Sequence, residues 1–185
     1  MSAAYGITSI MALILVGVCI AVDRKKEIWL LLLFISVFIS GVGYFMLSVS
    51  QNLEMALMSN RIAYLGNVFL PFFMVMMLLH LCNIHYRKWL PGILIGIGFV
   101  ILIIAASPGY LTVYYKTVSI EIVDGATQLV RTYGPLHSVY YAYLFLYFAA
   151  MLYIVGYSIA KRKLNPIFTA LYLCRRYWSI FWFGS

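Results

Sequence analysis

MALMSNRIAYLGNVFLPFFMVMMLLHLCNI, running from Met55 to Ile84, is the stretch that decides what this chain can be. Most of it is apolar, and it exceeds the ~20 residues that a helix needs to cross a bilayer. Asn60 and Arg61 stand near its start, where a helix first meets hydrocarbon. Gly66-Asn67, Pro71 and a methionine-rich half (Met74, Met76, Met77) follow. Polar and ionisable side chains at membrane depth are expensive to keep, so each is a functional-site hypothesis by default. Pro71 removes one backbone hydrogen bond in mid-span, and a kink is expected there.

The rest of the chain supplies walls around this helix. Of its 185 residues 65% are hydrophobic and 10% charged, against a charged share of about 25% in soluble domains. No aqueous core absorbs that much hydrocarbon, so the chain is an integral membrane protein. Its apolar runs are continuous rather than alternating, which selects helices over barrel strands. The expected fold is an all-α transmembrane helix bundle of five spans, at about residues 3–22, 28–50, 56–84, 90–106 and 136–160. Together they form one unit, residues 1–163, followed by an atypical tail, 164–185. The first segment lacks the basic start of a signal peptide and is followed by Asp23-Arg24-Lys25-Lys26, so it is read as a retained helix. Three cysteines (Cys19, Cys82, Cys174) sit in apolar runs, an odd set that argues against a disulfide framework.

Small residues mark seams. Gly41 and Gly43 in span two let a neighbour approach, and Gly92 and Gly96 in span four are read as packing positions too. Between spans four and five lies the long loop. Val113 to Val123 is rich in β-branched and aromatic residues, Asp124-Gly125 supplies a two-residue turn, and Thr127 to Thr132 returns as a second strand. A β-hairpin capping the bundle is expected there. The turns after spans one, three and five hold eight basic residues: Arg24, Lys25, Lys26, Arg87, Lys88, Lys161, Arg162 and Lys163. The opposite side holds three, Arg61, Lys116 and Arg131. The positive-inside bias therefore puts the N-terminus and the hairpin outside. The basic excess reports topology, and no nucleic-acid partner is expected. In the tail, Asn165-Pro166 breaks any helix. Arg175-Arg176 and the aromatic run to Phe183 suit either a segment lying at the inner interface or a sixth span cut short.

Each polar residue has two readings. Arg61 either lines an outward cavity that takes an anionic or polar ligand, or snorkels to headgroups. Glu54 lies seven residues earlier, and a helix reaching back that far permits an ion pair. His137, Tyr140, Tyr141, Leu144 and Tyr147 form a stripe that either lines a polar pocket or packs against a neighbour with its hydroxyls bonded across the seam. Arg61, Asn67 and His137 all fall on the outer side, which makes Arg61, Asn67, His137, Tyr140 and Tyr141 the candidate ligand-binding residues. His80, Cys82 and His85 do not share a helix face, so no metal site is expected. The acids stand in turns and loops, and no catalytic constellation or cofactor site is expected.

The Asn60-Arg61-Ile62-Ala63-Tyr64-Leu65-Gly66 start of span three with Pro71 after it, the outer hairpin, and Tyr133-Gly134-Pro135 leading a tyrosine-rich span five resemble the N-terminal seven-helix sensor region of bacterial membrane histidine kinases. That region also heads diguanylate cyclases. The resemblance covers about residues 3 to 163 and implies a binding module, not an enzyme. Its outer face would sense a ligand or the membrane state and drive a cytoplasmic output domain through its last helix. It implies a multi-pass protein of the bacterial inner membrane. The partners expected are the lipid bilayer, a small-molecule or membrane ligand, and, in a full-length protein, a second copy in a homodimer. After Lys163 the sequence departs from that pattern, and a fragment or frame-shifted product truncated after the fifth helix is expected. Two other functions stay open: a small membrane transporter or transporter subunit, and an accessory structural membrane protein without a ligand.

Overall fold

A computed structural model of the chain describes residues 2–22, 28–107, 114–123 and 126–161. It is mostly helical: α1 (Ser2–Val22), α2 (Ile28–Ser48), α3 (Leu53–Leu81), α4 (Leu90–Ala106) and α5 (His137–Ala160). A two-stranded antiparallel hairpin, β1 (Tyr115–Val123) and β2 (Ala126–Tyr133), separates α4 from α5 where the β-branched run and its return predict it. The Asp23–Glu27 link, the Asp124-Gly125 turn and the tail from residue 164 lie outside the described residues. Four helices, α1, α2, α3 and α5, are long and apolar enough to cross a membrane. The fifth, α4, has 17 residues, about 25 Å of helix rise, somewhat less than a hydrocarbon core of ~30 Å.

The third helix is the hub, packing against α2, α4 and α5, while α1 lies against α2. Val68, Phe72, Val75, Met76 and Leu79 of α3 form the buried centre, joined by Ile101 and Ala105 of α4 and Tyr143, Tyr147 and Ile154 of α5. Exposed Ile, Leu, Val and Phe side chains cover the outer faces of α1, α4 and α5, as a bundle solvated by lipid requires.

The ends of α3 differ from the expected 56–84, for local reasons. Asn52 is its N-cap, its side-chain oxygen accepting from the Met55 N–H at 2.8 Å, so helix begins at Leu53 and includes Glu54. At the far end Asn83 takes a positive φ of 50°. The Asn83 N–H then donates to the His80 carbonyl and the Ile84 N–H to the Leu79 carbonyl, both at 3.0 Å. This is the reciprocal αL closure that ends helices, so Cys82 to Ile84 leave the helix. Likewise α2 stops at Ser48 rather than residue 50, and α5 starts at His137 with Leu136 as its cap.

The glycines sort into two groups. A Cβ on Gly43 would land in the backbone of Ala63, and one on Gly66 against the Ser36 carbonyl. Here α2 and α3 touch backbone to backbone, the close approach that small residues allow. Gly92 and Gly96 are a correction. Among the described residues nothing lies within 4 Å of where their Cβ atoms would be, so they are not packing positions within this bundle. It is Gly98, two residues beyond Gly96, that meets a neighbour, the ring of Phe69.

Candidate functional site

The N-terminal ends of α1, α3 and α5, the C-terminal ends of α2 and α4, and the hairpin meet at one end of the bundle. Thr127 pins the hairpin there, its hydroxyl donating to the Ser50 carbonyl at 2.6 Å. At the foot of β1 the register slips by one residue between Tyr115 and Thr117. Such a bulge re-aims the side chains beside it, and both Tyr114 and Tyr115 turn into the bundle, where they are fully enclosed.

Their hydroxyls form a chain. The Tyr64 and Tyr115 oxygens are 2.7 Å apart, Tyr114 donates to Tyr64 at 3.1 Å, and Arg131 Nη1 donates to Tyr115 at 2.8 Å. Three hydroxyl protons less two hydroxyl–hydroxyl contacts leave one proton over. Either Tyr64 or Tyr115 therefore keeps an unspent donor, and the direction of the link between them is reversible. Burial pushes the Tyr114 and Tyr115 phenols upward, so both remain neutral. Burial works against the Arg131 charge, but the phenols around it outweigh that and raise its pKa. The guanidinium stays charged, lying over the Tyr115 ring at 5.2 Å, a cation–π arrangement.

The candidate residues read from sequence fall into three settings. His137, Tyr140 and Tyr141 are together. The His137 ring stacks on Tyr133 at 4.0 Å and meets Tyr114 and Tyr141 edge-on at 5.0 and 4.8 Å. It is buried, and among the described residues neither ring nitrogen has a hydrogen-bond partner. Tyr140 packs edge-on against Tyr64 at 5.5 Å, while Tyr141, turned about 100° further round the helix, is exposed. Asn67 faces α2: its carbonyl oxygen accepts from Ser40 at 2.6 Å and its amide donates to the Tyr44 hydroxyl at 2.8 Å. Arg61 reaches α4, where its Nε donates to the Ala106 carbonyl at 3.1 Å, closing one of the orphan carbonyls at that helix end. Their hydrogen bonds thus tie three elements together rather than converging on one point.

Arg131 and Tyr143 were missed as candidates, and Asn60, noted as polar at membrane depth, stood outside the ligand-binding set. Arg131 reads from sequence only as a strand charge. Tyr143 falls off the stripe drawn from His137. Yet Tyr140, Tyr143, Tyr147, Ile154 and Ser158 share the inward face, and Tyr143 donates to the Val68 carbonyl at 2.7 Å. That bond sits beside Pro71, whose missing N–H leaves the Asn67 carbonyl without its helical donor. Asn60 is buried, and its amide nitrogen has no partner among the described residues. Its position beside Arg61 was the available signal.

One cleft opens beside this cluster. It measures about 210 Å³ and is lined by Tyr5 of α1, Tyr44, Leu47 and Ser48 of α2, and Ala126 to Leu129 with Arg131 of β2. A family model, the N-terminal 7TM region of histidine kinase, matches residues 7–174. The chain belongs to that family. The match runs past Lys163, into the tail, and what it describes is a sensor input region rather than a catalytic domain. With its apolar helices, this makes the chain a multi-pass membrane protein. No curated protein and no solved structure matches it.

Proposed function

We propose that this sensor-family chain is the membrane-embedded input module of a bacterial signal-transduction receptor of histidine kinase or diguanylate cyclase type. It lies in the inner membrane with its N-terminus and hairpin outside, and it takes its signal at that face as a ligand or a change in the membrane. It performs no catalysis itself and works as a homodimer in the full-length receptor. Connectivity supports a reading with five crossings. The chain must return from the Cys82–Trp89 end to the hairpin end, and α4 is what carries it. The basic turns after α1, α3 and α5 then fall in the cytoplasm.

The observation that carries this reading is the hydroxyl chain from Arg131 through Tyr115 to Tyr64. It links the only β-structure among the described residues to the central helix. A movement of the hairpin must alter that chain, and Tyr143 and Tyr140 pass the change from α3 to α5. Asn67 anchors the far wall through Tyr44, and Arg61 holds α4. In this scheme His137, Tyr140 and Tyr141 form the responsive part. A signal needs two arrangements that the input binds unequally, and neighbouring hydroxyls that exchange donor and acceptor roles supply them.

The test needs no known ligand. Ser50→Cys with Thr127→Cys places a reversible crosslink between hairpin and bundle. It is made in a receptor where this chain replaces the equivalent region of a membrane histidine kinase. Oxidation should change autophosphorylation several-fold, and reductant should restore it. Equal activity in both states, with the crosslink formed, contradicts the sensory reading.

A further inference from the structure

Arg131 is a half-buried cation steadied by phenol hydroxyls and the Tyr115 ring rather than by a carboxylate among the described residues. Of the five N–H donors on a guanidinium, one is used on the Tyr115 hydroxyl. The partners of Arg131 among the described residues are a hydroxyl and an aromatic ring, and neither is a formal counter-ion. Taking a charge partly out of water without a counter-ion is costly. The lining of the 210 Å³ cleft includes Arg131 and no other charged residue. Thr127 and Ser48 spend their hydroxyl protons on the Ser50 and Phe45 carbonyls, so neither donates to an anion and the guanidinium is the charged donor of the lining. Tyr5 and Tyr44 stack at 5.6 Å and 27° to make one wall.

We propose that this cleft binds an oxyanion, a carboxylate or phosphate, with Arg131 as the charged fork and the Tyr5–Tyr44 pair as an aromatic wall. The sensory role of that binding rests on the reading given above. The volume lies below the ~300–1,000 Å³ of pockets for drug-sized ligands, so the occupant is a small acid or the headgroup of an anionic lipid. A planar two-oxygen group is what a guanidinium binds bidentately. Occupancy competes with Tyr115 for the guanidinium and presses on Tyr44, whose hydroxyl holds Asn67. The site therefore reaches α3 by two polar routes.

The full chain in phosphatidylcholine nanodiscs should gain thermal stability as benzoate or inorganic phosphate replaces chloride at constant ionic strength. If the source is lipid, soluble anions do nothing and phosphatidylglycerol nanodiscs raise the midpoint instead. In either arm Arg131→Gln should weaken the effect at least tenfold, Arg131→Lys should weaken it less, and Lys116→Gln should leave it intact. Leu47→Trp fills the cleft without touching the guanidinium and should abolish the response, which covers the case of Arg131→Gln failing to fold. No anion-dependent shift in either nanodisc, or a shift that survives Leu47→Trp, overturns the proposal. The crosslinked receptor separates the two ideas. A responsive crosslink without anion binding removes this site and keeps the sensor, whereas anion binding with a silent crosslink does the reverse.

Discussion

The two flanks of α3 are built differently. Against α2 the contact is backbone on backbone: Gly43 meets Ala63, and Gly66 meets Ser36 and Ser40. Against α5 it is made by long aromatic side chains, with the Tyr143 hydroxyl on the Val68 carbonyl and Tyr140 edge-on to Tyr64. Close small-residue contacts tolerate almost no displacement, because packed interiors have one arrangement and few voids. A tyrosine seam can shift by exchanging hydrogen bonds and rotating rings. The first flank is suited to hold α3 fixed and the second to let α5 respond, and the hairpin reaches both, β2 at the α2 end through Thr127 and the strand feet at His137 of α5.

Enlarging the fixed seam should break the molecule first. Gly66→Leu or Gly43→Val forces atoms into backbone, where overpacking costs at least the usual ~1–3 kcal/mol. The expected outcome is little folded protein by fluorescence-detected size exclusion of membrane extracts. Normal yield with either variant would dissolve the contrast between the flanks. Next comes Tyr64→Phe, which removes the node of the hydroxyl chain and strands groups on Tyr114 and Tyr115. A stranded buried polar group costs ~1–3 kcal/mol, so the unfolding midpoint should drop by several degrees. Tyr143→Phe removes a single interhelical bond, worth roughly 0.6 kcal/mol in membranes. It should barely move the midpoint yet alter the response to the Ser50–Thr127 crosslink. A drop as large as that of Tyr64→Phe would mean that the α5 seam is as rigid as the α2 seam. Smallest is Gly96→Ala, on a face that touches nothing in the bundle. It should be neutral or stabilise by up to ~1 kcal/mol through helix propensity, and destabilisation would restore Gly96 as a packing residue.

Much of the bundle was legible because hydrocarbon solvation demands long apolar runs, and Asp124-Gly125 between β-branched stretches announces a hairpin. What periodicity could not give was set by single side chains. Asn52 and Asn83 fix the ends of α3 through a cap and a positive φ, neither of which shows in hydropathy. Gly92 and Gly96 are as small as Gly41 and Gly43, and only the position of the neighbours separates them. The site was legible in part. His137 and Tyr140 stand where the aromatic cluster at the hairpin end forms, but the bulge at Lys116 that turns Tyr115 toward Arg131 leaves no trace in the sequence. The inward face of α5 is centred nearer Tyr143 than Tyr141. The stripe was drawn from His137, which is enclosed by the hairpin above it.

The central claim is that the hairpin end, with its polar cluster, faces the outside. Ile122 on β1 is 74% exposed, which makes Ile122→Cys a direct reporter in a background where Cys19, Cys82 and Cys174 are replaced by serine. In spheroplasts a membrane-impermeant maleimide should label it at once, whereas Lys161→Cys should label only after the membrane is opened. Labelling of Lys161→Cys in sealed spheroplasts, with Ile122→Cys protected until lysis, would contradict the account.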